Sequence, residues 1–246
     1  MRPVLRFFAS HPIKKRKADM AGSHTAPPET LDRDLEVGPE DFKERDFYQL
    51  MTAMVIPRPI GWISTISAKG VRNVAPYSYF NLMGSDPFYV AFGSTGEKDN
   101  VTNLRQVPEF VVNIVSMDLI EQMNFSSADF PPEEDEFEWA GLTPVPAAKV
   151  RPARVGEAKA HLECKVMQIV DDNNTHIVLA RVVHAHVSKS VWKNGRLDPR
   201  LLDPACRLSG SAYAQLGEIV NVARPQWKDI KGSKGQEKMP QMVKRS

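Results

Sequence analysis

The chain has 246 residues, 42% of them hydrophobic and 25% charged, with a formal net charge of +2. That balance excludes disorder throughout, and so small a charge gives no broad positive field for attracting nucleic acid. No apolar run approaches the ~20 residues that cross a bilayer. The two cysteines, Cys164 and Cys206, form no CxxC pair, which argues against a disulfide framework or structural zinc and for a reducing, cytoplasmic setting.

Arg2, Arg6, Lys14, Lys15, Arg16 and Lys17 precede the first acid, Asp19, and a Pro-, Ser- and Glu-rich stretch follows. Residues 1–40 are therefore expected to be a flexible extension. Phe7 and Phe8 also suit an organelle-targeting segment, but Pro3 and Pro12 interrupt a helix and no cleavage site follows, so targeting is the lesser reading. Met20 is an alternative start. Residues 41–224 read as one core domain, and 225–246 as a lysine-rich tail in which Trp227 alone has reason to dock on the body.

Within the core, a helix is predicted over Arg45–Met54. Strands are predicted over Ile60–Ser67, Asn73–Phe80, Phe88–Ser94 and Glu109–Ser116, each rich in β-branched or aromatic residues and set apart by turn signals such as Gly84-Ser85-Asp86-Pro87. Short helices are predicted over Asp99–Gln106, Asp118–Ser126 and Ser211–Val220. Two further strands, His161–Val170 and His176–Ser188, flank Asp171-Asp172-Asn173-Asn174 and read as a hairpin. Both faces of the second are largely apolar, so it should be central or covered by a partner subunit. Few, short helices favour a mainly β, α+β chain built on a closed or partly closed antiparallel barrel.

Three segments carry the most information: Pro57-Arg58-Pro59-Ile60-Gly61-Trp62-Ile63-Ser64-Thr65, then Asn73-Val74-Ala75-Pro76-Tyr77-Ser78-Tyr79-Phe80, then Gly93-Ser94-Thr95-Gly96-Glu97-Lys98-Asp99-Asn100. In this order they resemble the flavin reductase-like, FMN-binding split-barrel proteins, which include flavoredoxins and the reductase components of two-component monooxygenases. The resemblance continues through Glu109–Asn113, Asp135–Leu142, Glu163-Cys164 and Arg207–Tyr213. It implies an antiparallel Greek-key split barrel, bound FMN, and NADH or NADPH as electron donor. It also implies a homodimer with flavin near the interface, and a flavin-dependent monooxygenase or other electron acceptor as partner.

For the flavin ring and ribityl chain the resemblance implies Trp62, Ser64, Thr65, Asn73, Pro76, Tyr77, Ser78 and Tyr79. For the phosphate, Ser94, Thr95 and Gly96 offer hydroxyls and backbone N–H groups, Lys98 a charge, the helix beginning at Asp99 its positive end, and Arg58 a planar fork of donors. Read alone, that turn is equally a solvated loop with surface charges, and Trp62, Tyr77 and Tyr79 are equally core aromatics. Asn100 stands where the family usually has threonine, which puts phosphate affinity in question, and Ser209 replaces a family glycine. Arg207 and Tyr213 are expected near the pocket or the subunit interface.

His184 and His186 share a strand face, and His161 with Cys164 forms a second candidate ligand pair. No nearby cluster of acidic and histidine residues completes the coordination, so no metal is expected. GxGxxG, GxxxxGK[ST] and GxSxG are all absent. The leading functional expectation is an NAD(P)H-dependent flavin reductase, in which FMN carries the chemistry and no side chain serves as a catalytic acid or base. A flavoredoxin-like electron carrier, a noncatalytic flavin-binding redox sensor and a barrel that has lost flavin are the alternatives.

Overall fold

The computed structural model describes residues 35–231 and 243–245. The N-terminal extension as far as residue 34, with Met20, lies outside the described residues, as do 232–242 of the tail. The chain forms two units, Met1–Val55 and Ile56–Ser246. The first contains α1 (Glu44–Met54), where a helix is predicted.

In the second unit, β1 (Arg58–Pro59), β2 (Gly61–Ile66), β3 (Arg72–Tyr77), β4 (Phe80–Ser85) and β5 (Phe88–Thr95) lead into α2 (Asp99–Gln106) and β6 (Glu109–Ile114). Short helices α3 (Ile120–Phe125) and α4 (Glu136–Trp139) follow, then the pair β7 (Pro144–Val145) and β8 (Arg154–Val155), and the long hairpin β9 (Ala160–Asp172) and β10 (Thr175–Val187). Seven strands form one antiparallel sheet in the order β3-β2-β6-β9-β10-β5-β4. The hairpin turns at Asn173, whose φ of 50° is the left-handed conformation that asparagine tolerates best among residues with a Cβ.

Alternation along β2 explains why the sheet is covered on both sides. Ile63 points into a core shared with Tyr77, Phe92, Leu104, Phe110 and Val178, where Phe92 meets Phe110 edge-on at 5.5 Å. Trp62 points the other way, into a core built with Val74, Met123, Phe137 and Leu142 beneath α3 and α4. Gly61 is required between them: a Cβ there would lie 2.8 Å from the Phe80 ring.

β10 is interior to the sheet, as its composition predicts, with Val178 and Ala180 fully buried. Its outward face stays apolar and open at Ile177, which pairs across the ladder with exposed Val170.

Three predictions need correction. The run ending at Phe80 is two strands, because β3 stops at Tyr77 and β4 begins at Phe80; β4 lies at the sheet edge, where Leu82 and Met83 stay exposed. The helix predicted over Ser211–Val220 is absent. After the pair β11 (Trp192–Lys193) and β12 (Arg196–Leu197) and the short α5 (Pro199–Leu202), the chain instead forms β13 (Cys206–Arg207) and β14 (Tyr213–Ala214), with β13 paired to β1 on one side and to β14 on the other. The tail holds β16 (Val243–Arg245), paired with β15 (Val220–Val222), and Trp227 is 71% exposed rather than docked.

Candidate functional site

The turn after β5 is fixed from three sides. Gly96 has φ 84°, a conformation that side chains with a Cβ resist, and its N–H donates to Asn174 O at 2.8 Å, tying the turn to the β9–β10 hairpin. Arg105 of α2 then clamps both neighbours, donating from Nε to Glu97 at 2.9 Å and from Nη2 to Asp171 at 2.8 Å. Asp171 also meets His176 Nδ1 at 2.7 Å, and these partners hold its carboxyl down at about 2. Thr95 and Lys98 remain exposed at this braced corner beside the N-terminus of α2, the arrangement that favours an anion. Lys98 already has a counter-charge, Asp129 at 3.9 Å. Burial and the charges of Asp129 and Glu133 raise the Asp99 carboxyl above its usual range.

Behind the corner lies a buried polar cluster. Thr65 donates to Asn100 Oδ1 at 2.6 Å and accepts from Asn103 Nδ2 at 3.1 Å, while Asn100 Nδ2 donates to Ile63 O at 3.3 Å. Asn100, the departure from the family's threonine, thus locks α2 onto β2. The Tyr77 hydroxyl sits beside the Asn100 and Ser94 side chains but completes no hydrogen bond, and burial pushes its pKa up to about 12. Ser94 Oγ donates to Gly96 O at 2.9 Å.

The remaining predicted residues divide by accessibility. Trp62 is fully buried and its indole N–H donates to Ser126 Oγ at 2.9 Å, so its side chain belongs to the core. Ser64 is also fully buried and donates to Ala153 O at 2.6 Å. Pro76 and Ser78 are half-buried and Tyr79 is 47% exposed. Tyr79 lies against Gly93, whose N–H donates to Tyr79 O at 2.8 Å, so this patch borders Ser94 directly. Arg58 bridges to the other side, with Nε 3.5 Å from Ser78 Oγ and Nη2 donating to Leu208 O at 2.8 Å. Pairing of β1 with β13 sets Arg58 opposite Arg207, which stacks 4.5 Å over the Tyr213 ring and donates to its hydroxyl.

Two acidic residues that sequence reasoning did not single out emerge here. Glu136 is buried at the start of α4 and accepts from Asn73 Nδ2 and, at 3.3 Å, from Val74 N. Burial first, then Asp99 and Asp135, push its carboxyl up to about 7. Asn73 Oδ1 is left without a partner. Glu163 lies fully buried beside His184 and His186, which corrects the expectation that no acid completes a set around that histidine pair. Cross-strand register brings it there, a relation that sequence spacing does not state. Cys164 and Cys206 are free thiols, and burial raises both.

The patch suits a flavin in its parts: half-buried and exposed ring-sized surface at Pro76 and Tyr79, unsatisfied polar atoms on Tyr77 and Asn73, and an exposed cationic corner at Lys98. A family model described as flavin reductase like domain matches residues 52–200. An uncharacterized protein of Halalkalibacterium halodurans is 34% identical over 203 residues, covering 78% of this chain and 97% of its own. The crystal structure of nitrilotriacetate monooxygenase component B from Bacillus cereus is 33% identical, with a TM-score of 0.71 over 76% of this chain and 97% of that one. A flavin reductase with split barrel domain from Shewanella frigidimarina shares the fold at 19% identity and a TM-score of 0.69, covering 78% and 99% of the two chains. The architecture is the split barrel expected from the sequence, and the chain belongs to the flavin reductase like family.

Proposed function

We propose that this protein binds FMN on the patch from Ser78 to Lys98 and reduces it with NADH or NADPH. The observation that carries this reading is the Tyr77 hydroxyl, buried without a hydrogen bond among Ser94 and Asn100 and next to the braced corner of Thr95 and Lys98. A buried, unsatisfied hydroxyl costs about 1–3 kcal/mol, which a ligand oxygen or nitrogen would recover. When bound, the flavin supplies the redox chemistry, accepting a hydride from the nicotinamide and passing electrons onward. Thr95, Lys98 and the α2 N-terminus hold the phosphate, while Ser78, Tyr79 and Pro76 border the ring and ribityl chain. Arg58 positions Ser78 from behind. Thr65, Asn100, Ser64 and Trp62 act through packing, by keeping β2 and α2 in register.

The acids around Lys98 favour release over retention. A phosphate there competes with Asp129 for the ammonium and sits near Asp99, so the site is a weak one from which reduced FMN departs toward a monooxygenase or another acceptor. Retained flavin would instead mark a flavoredoxin-like carrier, and bound flavin inert to nicotinamide a redox sensor. Titration of FMN and riboflavin into wild-type protein and Lys98→Ala checks the assignment. The variant is expected to bind FMN about tenfold more weakly, the loss of one charge-assisted hydrogen bond, and riboflavin unchanged. Equal loss for both ligands would move the phosphate elsewhere.

The active form is proposed to be a homodimer. Leu82, Met83 and Phe88 on β4 and β5, and Met167, Val170 and Ile177 on β9 and β10, are all 43–56% exposed on strands of one sheet, apolar surface that a second copy would cover. Sedimentation at micromolar concentration is expected to give twice the chain mass, and Ile177→Lys with Met167→Lys to give the monomer.

A further inference from the structure

We infer that Glu163, His184 and His186 form a binding site for a divalent transition metal of zinc type, separate from the flavin patch. The three side chains come from neighbouring strands. A register shift between Val182 and His184 sets His184 opposite Glu163 and His186 opposite His161 across the β9–β10 ladder. Ligand atoms of Glu163, His184 and His186 all lie within 4.8 Å of one another, and the two imidazole rings stand edge-on at 4.8 Å. Zinc takes histidine nitrogen and carboxylate oxygen at about 2.0–2.2 Å, so tetrahedral ligand atoms sit roughly 3.3 Å apart. Small side-chain rotations reach that spacing.

The surroundings are those of a built site. The Glu163 carboxylate is fully buried and oriented by the N–H of Ala148 at 2.7 Å and of Lys149 at 2.5 Å, the kind of outer hydrogen bonding that fixes a metal ligand. Among the described residues its one chargeable partner is His186, whose Nε2 lies 2.5 Å from Oε1. A divalent ion would neutralise this buried carboxylate, which the two N–H groups orient but do not neutralise. The same hydrogen bond is also what a purely structural His–Glu pair would show, but such a pair needs no third group, and exposed His184 supplies one. His161 adds a second observation: its Nε2 meets Val155 O at 2.8 Å, while Nδ1 is buried with no hydrogen-bond partner. An open polar cavity of about 700 Å³, lined by Arg154, Lys159, His161, His186, Ser188 and Ser190, reaches the cluster at His186 but not at Glu163 or His184, and gives water access to that imidazole. The cluster is at the far end of β10 from His176, which pairs with Ser94 of the flavin patch.

Isothermal titration of zinc chloride into chelator-treated, full-length protein tests the assignment without reference to flavin. One equivalent per chain is expected to bind with micromolar or tighter affinity. His184→Ala is expected to weaken it at least tenfold and His184→Ala with His186→Ala to abolish it, whereas His176→Ala should bind as wild type. Because His184 is exposed, its alanine variant should keep the wild-type Tm without metal. Absence of saturable binding, or equal binding by wild type and folded His184→Ala, overturns the site.

Discussion

Alanine at Trp62 is expected to lower stability by about 3–5 kcal/mol, the range for removing a fully buried large aromatic side chain. The indole fills the space between β2 and the helices α3 and α4, against Val74, Met123 and Phe137. Its loss leaves a cavity and deprives the buried Ser126 hydroxyl of the donor it accepts from. Phenylalanine should recover much of the packing but not the hydrogen bond. Urea unfolding midpoints of the two variants give the measure. The same pair separates core from cofactor contact: folded Trp62→Phe should bind FMN within about twofold of wild type, and a tenfold loss would mean that the ring reaches the flavin after all.

The second large effect concerns Glu136. Its carboxyl is pushed up to about 7 by burial, so the folded protein holds this proton more tightly than the unfolded chain, where glutamate titrates near its ordinary 4.3. The stability contributed by the protonated group is complete below the unfolded value and disappears as pH rises through that of the folded state. Over this window the loss amounts to about 3 kcal/mol. Glu136→Gln, an uncharged isostere, should flatten the fall in stability between about pH 4.5 and 7 and make the variant more stable than wild type at pH 8. Chemical unfolding at several pH values checks it. A wild-type slope retained in the variant would place the titrating group elsewhere, with Asp99 the next to test because burial raises it too. Asn73 depends on this carboxylate through Nδ2, so the variant also asks whether the end of β3 must be anchored for flavin to bind.

Much of the barrel was legible because its strands follow local rules. The runs at 60–67, 88–94, 109–116, 161–170 and 176–188 all became strands within about two residues, since β-branched and aromatic residues recur between strong turn signals. The helix predicted over 118–126 is α3, but where the second layer packs was not legible. Trp62 read as a flavin contact because its burial depends on α3 and α4, which approach from 60 to 80 residues further along the chain. Asn100 read as a phosphate group, whereas its amide is engaged by Thr65 and Ile63. β14 fell inside a predicted helix because a two-residue strand carries no periodicity; pairing with β13, itself paired with β1, defines it. Glu136 and Glu163 fell within segments that carry the family resemblance but were given no role, and only tertiary contact reveals that one is buried beside Asn73 and the other beside two histidines. Local chemistry thus located the braced turn at Gly96 and the segment Pro76–Tyr79 beside it, while the contacts that depend on cross-strand register awaited the structure.

The central claim is that this barrel binds FMN and reduces it with a nicotinamide. An anaerobic absorbance titration tests it most directly: FMN added to the purified full-length protein, then NADH and NADPH in turn. The flavin bands are expected to shift on binding and then to bleach with at least one of the two donors, far faster than free FMN with the same donor. Bands that neither shift with protein nor bleach with either donor would contradict the account.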